Sequence, residues 1–290
     1  MPRKILVLNS GSSSVKYRLL KMDAGVETLA GGLIERIGEA SSGCADHREA
    51  IAEIIRQLDE AGYLAGEGLF ALGHRVVHGG ESFSAATVVD DSVISAIRAA
   101  IPLAPLHNPP NLQGIEVCRE LWPEVPQVAV FDTAFHQTLE PEAYRYAIPD
   151  ECYRERHIRR YGFHGTSFAH VTRKAAQHFQ CSRESLNLIA LHLGNGASAC
   201  AIRSGRSMDT SMGMTPLAGL MMGTRCGDLD PGVVFHLMDE GGLTSAQASA
   251  WLNKDSGLKG LVGTNDMRDV LARAAAGDVQ AGLAISMYTY

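Results

Sequence analysis

The spacing of apolar residues along the chain switches between a strand period and a helix period, and each switch predicts an element. Ile5, Leu6, Val7 and Leu8 form a short continuous apolar run, the pattern of a buried strand. After the polar stretch Asn9 to Ser14, Val15, Tyr17 and Leu19 alternate with Lys16 and Arg18, which predicts a second strand and makes Ile5 to Leu20 a hairpin. A weaker copy of this pattern returns at Leu188 to Ile202, LIALHLGNGASACAI. Gly31 to Ile37 reads as a further strand. His47 to Ala61 carries Ile51, Ile54, Ile55 and Leu58 at helical spacing and is ended by Gly62. Phe70 to Val77 predicts a strand closing on the turn His78-Gly79-Gly80, and Asp90 to Ala100 predicts a helix. The prolines of APLHNPPN, Ala104 to Asn111, predict an irregular start followed by a helix from about Asn111 to Leu121. Val125 to Phe131 reads as a buried strand that delivers Asp132 at its C-terminal end, where open α/β sheets gather their sites. The charged stretch Glu151 to Arg160 predicts a solvated helix, Tyr161 to Ser167 a glycine-bearing loop, and Phe168 to Phe179 a helix. Met208 to Gly232 is too rich in Gly, Thr and Met for a plain element. Leu283, Met287 and Tyr290 share a helical face with no stop signal after them, so the pattern reads as a helix cut internally.

Strands alternating with helices, and a hairpin opening each half, predict an α/β chain of two domains, 1–150 and 151–290. At 290 residues and 46% hydrophobic, the chain is long enough for two separate cores. A net charge of -6 argues against a nucleic-acid binder, so any phosphate site must be a local basic pocket on an acidic molecule. The six cysteines are scattered without a C-x-x-C pair, which indicates neither zinc nor a disulfide framework and suits a reduced, cytoplasmic setting. The apolar stretch near the N-terminus is too short for a signal peptide, and no run is long enough to span a bilayer, so no membrane partner is expected.

The turn of the first hairpin decides which phosphate chemistry is available. P-loops and dinucleotide fingerprints open helices, whereas here Gly11 stands alone and a strand follows. What remains is a hairpin tip with Asn9, Ser10, Ser12, Ser13 and Ser14, and Lys16 just behind, a set suited to phosphate oxygens. An ordinary Gly/Ser hairpin with an exposed lysine is the competing reading. The second hairpin shifts the balance, because duplicated folds of the actin and sugar-kinase type place one phosphate-holding hairpin in each of two facing domains. Further stretches combine polar groups with glycines: HRVVHGGE, PLHNP, FDTAFHQ, YGFHGTS, HLGNGAS and GTRCGDLDPG. Plain readings exist for each. His74 and His78 lie on a strand without the Glu of H-E-x-x-H, which disfavours a metal site. Arg75 could be a surface arginine, Asp132 a helix N-cap, His164 a pin for its own loop, and Asp228 and Asp230 turn residues before Pro231.

Taken together, LNSGSSSVKY, GHRVVHGGE, APLHNPPN, VFDTAFHQT, YGFHGTS, LHLGNGAS and GTRCGDLDPG closely resemble the acetate kinase family, with its propionate-kinase relatives, from Ile5 to about Arg268. The resemblance implies two duplicated actin-like, RNase H-like domains facing a nucleotide cleft, with the second incomplete at its C-terminus. It implies Asn9 as a ligand of Mg2+ or Mn2+ and Lys16 as a phosphate-side lysine. Arg75 would bind the substrate, Asp132 would be the catalytic aspartate, and His164 and Arg225 would stabilise the transferring phosphoryl group. His192, Leu193, Gly194, Asn195 and Gly196 match a nucleotide-phosphate loop, and Asp266, Met267 and Arg268 an adenine-nucleotide contact. Val77, Leu106, Phe163 and Pro216 match the pocket around the substrate's alkyl end. Met214 and Met267 depart from the pattern, standing where phenylalanine is expected. Family members also continue beyond this endpoint with a glycine-rich nucleotide loop and a magnesium-binding glutamate. A homodimer is implied.

The implied reaction is ATP plus acetate or propionate giving ADP plus an acyl phosphate. A carboxylate of pKa about 4 is ionised at neutral pH, so no general base is strictly required. Repulsion between two anions is the obstacle, and Arg75, Arg225, His164 and magnesium answer it, leaving Asp132 to orient Arg75, the substrate or a metal-bound water. Two other readings stand beside this one. A sugar-hydroxyl kinase would need a true base and a polar pocket, which Val77, Leu106, Phe163 and Pro216 disfavour. A catalytically incomplete fragment would fold or dimerise without turnover.

Overall fold

A computed structural model describes residues 3–39, 43–66 and 68–290. The chain forms two compact units, Met1–Gln137 and Thr138–Tyr290. The boundary expected near Asp150 corresponds to the start of a short helix inside the second unit.

The first unit is built on a six-stranded sheet. Its strands are β1 (Arg3–Ser10), β2 (Ser14–Met22), β3 (Val26–Glu35), β4 (Ala71–Val76), β5 (Thr87–Val88) and β6 (Gln127–Phe131), in the order β3-β2-β1-β4-β6-β5. The expected hairpin is β1–β2, with Asn9 opposite Lys16. β1, β4 and β6 run parallel, so their C-terminal ends lie side by side. β3 starts at Val26, earlier than expected, because Val26, Glu27 and Thr28 are exposed and show no apolar alternation, yet pair with Met22, Lys21 and Leu20.

Helices α1 (His47–Glu60), α2 (Asp91–Ala99) and α3 (Asn108–Leu121) cover the sheet. Asp46 and Asp90 cap α1 and α2 by accepting from the main-chain N–H of Glu49 and Val93. α3 begins three residues before the expected Asn111, because Pro109 and Pro110 occupy its first turn, where main-chain N–H groups have no intrahelical partner to lose. α3 serves two cores at once. Val117 and Cys118 pack with Leu6, Leu8, Ile51 and Ile54, and Leu112 and Ile115 pack with Val76, Ile97 and Phe131.

The second unit holds short helices α4 (Pro141–Tyr144) and α5 (Asp150–Arg154), then α6 (Gly165–His178). A three-stranded antiparallel sheet follows: β7 (Asn187–Leu193), β8 (Ala197–Arg203) and β9 (Arg206–Thr210). β7–β8 is the expected second hairpin, and β9 takes the start of the segment read as loop. Helices α7 (Pro231–Asp239), α8 (Ser245–Lys254), α9 (Gly257–Val262), α10 (Met267–Ala275) and α11 (Val279–Thr289) complete it. Leu258, Val262, Val270, Ala281 and Ala284 form a small core there.

Two expectations are corrected in this unit. The helix expected over Glu151 to Arg160 ends at Arg154, and Arg159 is buried with its guanidinium 3.7 Å over the Tyr144 ring. A cation held on an aromatic face is invisible to a count of charges. The helix expected from Phe168 starts at Gly165, preceded by His164 in the left-handed region at φ 58°. Among the described residues, no helix is long and apolar enough to cross a membrane.

Candidate active site

The candidate residues fall into two groups, one in each unit. In the first, the parallel strands β1, β4 and β6 present Asn9, Arg75 and Asp132 at or just past their C-terminal ends. Asp132 is 2% exposed and lies in a fork made by Arg75. Arg75 Nε donates to Oδ1 and Oδ2, each at 3.1 Å, and Nη2 donates to Oδ2 at 2.5 Å. Nη1 reaches Asn9 Oδ1 at 3.4 Å. Burial pulls the Arg75 guanidinium down, but the charge and hydrogen bonds of Asp132 outweigh it and hold the pKa above its ordinary value. The guanidinium is therefore a permanent cation with a fixed orientation, 37% exposed and so open to an anion.

The main chain around Arg75 is held by two buried amides on α3. Asn111 Oδ1 accepts from Val77 N at 2.9 Å while its Nδ2 donates to Ser10 O at 2.6 Å. Asn108 Oδ1 accepts from His78 N at 3.1 Å and its Nδ2 donates to His78 O at 2.9 Å. Thr133 Oγ1 accepts from Gly79 N at 3.1 Å. These bonds satisfy main-chain groups where the sheet ladder stops, which sets the strand ends that carry the polar side chains. Lys16 is exposed on β2 opposite Asn9. Val77 is buried, whereas Leu106 is 53% exposed and borders a hollow of about 450 Å³ with Ser12, His47 and Pro109.

In the second unit, His164 and His192 stack with ring centroids 4.0 Å apart and planes 26° apart. Each ring has a serine at its Nδ1. His164 Nδ1 lies 2.8 Å from Ser198 Oγ on β8, and His192 Nδ1 lies 2.9 Å from Ser167 Oγ on α6. The hairpin tip Gly194-Asn195-Gly196 packs on this pair. A Cβ at Gly196 would stand 3.2 Å from Arg225 Nη1, close enough to press on the guanidinium, and 3.6 Å from the His164 ring, an ordinary contact. Arg225 Nη1 also donates to Pro216 O at 3.3 Å. Phe163 is buried and Pro216 half-buried, so the four expected alkyl-pocket residues are divided between the units.

Beside the tip is a cavity of about 610 Å³, bordered by Leu193, Gly194, Asn195, Asp266, Met267 and Arg268, all named from sequence, and by Gly223, Leu258, Asn265 and Tyr288, which were not. Asp266 caps α10 and, paired first with Arg268, has its carboxyl held down to about 2. The motifs picked out from the sequence contain Asn108, Asn111, Thr133, Ser167 and Ser198, whose bonding roles the sequence did not indicate. Polar residues of ordinary type carry no signal until their partners are known.

The sequence profile described as the acetokinase family matches residues 4–290. The chain belongs to the acetokinase family. Among curated members, the acetate kinase of Syntrophobacter fumaroxidans is 50% identical over 312 residues, covering 99% of this chain and 75% of the relative. That of Streptomyces avermitilis is 51% identical over 307 residues, covering 100% and 76%. Among solved structures, Porphyromonas gingivalis acetate kinase superposes with a TM-score of 0.92 at 42% identity, over 99% of this chain and 76% of that one. A propionate kinase from Francisella tularensis gives 0.93 at 42% identity, over 99% and 77%. This acetokinase-family chain has their α/β fold, as its sequence led us to expect, and spans about three quarters of the length of the relatives it matches.

Proposed function

We propose that this chain is an acetate kinase, transferring the terminal phosphoryl group of ATP reversibly to the carboxylate of acetate. The observation that carries this reading is Arg75, a partly exposed cation held by the buried Asp132 beside Asn9, in a chain of the acetokinase family. In the forward direction a carboxylate oxygen forms the new bond to phosphorus, the bond from phosphorus to the bridging oxygen of ATP breaks, and its electron pair leaves with ADP. The nucleophile arrives ionised, so the protein's task is to hold two anions together.

Arg75 suits the carboxylate, being planar and forked. Arg225, His164 and the tip residues His192 to Gly196 suit the phosphoryl group, with Lys16 as a further cation. Asp266 to Arg268 suit the nucleoside end. Val77, Phe163, Pro216 and Leu106 would set the room around the alkyl end. Asp132 would orient Arg75; its three-contact fork supports a positioning role rather than that of a base.

Magnesium fits as an ion carried by the nucleotide. Among the described residues no cluster of three His, Cys, Asp or Glu side chains could hold a metal alone, and Asn9 offers one neutral oxygen, the sort of single protein contact Mg2+ takes beside phosphate and water oxygens. When bound, the ion would neutralise phosphate charge. A homodimer and a cytoplasmic location belong to the same proposal and rest on the family resemblance.

The test is hydroxamate trapping of acyl phosphate from ATP with acetate, propionate and butyrate in parallel. Product with acetate supports the reading, and its absence with every acid refutes it. One methylene is worth about 1 to 3 kcal/mol in such a pocket, so the ratio of rates sorts acetate from propionate kinase. Arg225→Ala should cost about 10³-fold in turnover, on the scale of phosphoryl-stabilising arginines, whereas Asp132→Asn should chiefly raise KM for the carboxylate. The opposite ranking would restore Asp132 as a base.

A further inference from the structure

The cavity beside the second hairpin is bordered by two segments that belong to different loops. One is Leu193-Gly194-Asn195 at the hairpin tip, and the other is Asn265 with the cap of α10. Asn195 ties them together. Its side-chain Oδ1 accepts from Asn265 Nδ2 at 2.8 Å across seventy residues of sequence. Its main-chain carbonyl accepts from Gly223 N at 3.0 Å, and Gly223 O in turn accepts from Lys259 N at 2.9 Å, which anchors the tip to α9. A Cβ at Gly223 would collide with the same Asn195 Oδ1, so the amide is seated directly against the Gly223 main chain. The residue after Asn265 is Asp266, whose Oδ1 accepts from Arg268 N at 2.9 Å and so opens α10.

We propose that Asn265 is a positioning residue, which clasps Asn195 and so sets the distance between the phosphate-holding tip and the nucleoside-holding segment Asp266 to Arg268. The proposal rests on the reading of this cavity as the nucleotide site. Asn195 and Asn265 are both exposed, and an exposed amide pair between loops adds little to stability. Its effect is geometric. A nucleotide must engage both segments at once, and binding through two linked contacts is strong only when their spacing matches the ligand. Release of the clasp leaves each segment able to bind its own end of the nucleotide while weakening simultaneous binding. Neither amide titrates, so the spacing is independent of pH.

The experiment measures affinity for ADP, adenosine and inorganic pyrophosphate, by calorimetry or ligand-observed NMR, in the parent chain, Asn265→Ala and Gly223→Ala. Loss of one hydrogen bond at the tip should weaken ADP by about 3- to 10-fold. Adenosine and pyrophosphate, which each need one end, should change by less than about twofold, since the segments that hold them keep their own contacts. Gly223→Ala, pressing on the same oxygen from the other side, should give the same signature, and thermal melting should show both variants folded. Unchanged ADP affinity in Asn265→Ala overturns the clasp, as does a loss of adenosine equal to that of ADP, which would make Asn265 merely a support for α10. If the parent chain binds none of the three probes, the nucleotide reading of the cavity falls first, and the clasp with it.

Discussion

Replacing Asn111 tests whether buried amides, rather than strand pairing alone, hold the ends of β1 and β4. Asn111 is 3% exposed and bonds two main-chain groups beyond the last β1–β4 pair, Leu8 with His74: Val77 N at 2.9 Å and Ser10 O at 2.6 Å. Asn111→Leu keeps the branching, with a methyl group for each polar atom, and strands both groups in places that are 8% and 4% exposed. An unsatisfied buried donor or acceptor costs about 1 to 3 kcal/mol, so the pair should cost about 2 to 6 kcal/mol.

Asn111→Asp refines the test. The carboxylate still accepts from Val77 N but turns a second acceptor toward Ser10 O, while the protonated acid can donate there as the amide does. Burial and the facing carbonyl should raise the folded-state pKa above the unfolded value of about 3.9. Near or below that value the variant should approach the parent. As pH rises through it, the unfolded chain releases its proton before the folded one, so the deficit grows until the folded-state pKa is passed and is then constant. Urea midpoints followed by far-UV circular dichroism at pH 4 and pH 8, each against the parent, give both numbers. An Asn111→Leu deficit under about 0.5 kcal/mol, or an Asn111→Asp deficit independent of pH, refutes the argument, since two stranded groups exceed the first and a carboxylate facing a carbonyl must titrate.

Other consequences are equally direct. Gly196→Ala should press on the Arg225 guanidinium and lower kcat of the phosphoryl transfer by up to about tenfold without lowering the melting temperature, since the new methyl group lands against Arg225 rather than in a core. Ser198→Ala should remove the hydrogen bond at His164 Nδ1; turnover should fall while ADP affinity holds, and the imidazole 15N shifts should report the changed tautomer population. Ser167→Ala should do the same to His192, with the loss falling on nucleotide affinity as well. His74 and His78 are both held down to about 4 by burial. The unfolded chain takes up protons near pH 6.5 and the folded one only near 4, so stability should be full above that window and fall as pH drops through it. His74→Leu should remove about half of that slope in urea titrations, and an unchanged slope would rule out its part.

The two hairpins, α1, α2 and the parallel strands were legible because each rests on a local period or cap: the run Ile5 to Leu8, the alternation Val15 to Leu19, the spacing of Ile51, Ile54 and Leu58, and Asp90 ahead of α2. The early start of β3 was hidden because its first residues are exposed, and a strand can be held by a neighbour's main chain without any pattern of its own. Arg159 misled because a cation on an aromatic ring looks, in sequence, like a cation in water. The start of α6 misled because His164 adopts a left-handed backbone that glycine adopts more readily.

By itself the sequence determined the two hairpins, α1, α2 and the parallel strands, and the family to which the chain belongs, because periodicity, capping and motif length are properties of neighbouring residues. The tertiary structure alone decided that Asp132 spends its carboxylate on Arg75, that Asn108 and Asn111 brace the strand ends, that two serines hold a stacked histidine pair, and that Asn265 reaches Asn195. Those are pairings between residues far apart in the chain, and hydrogen bonds depend on distances of tenths of an ångström that only packing sets.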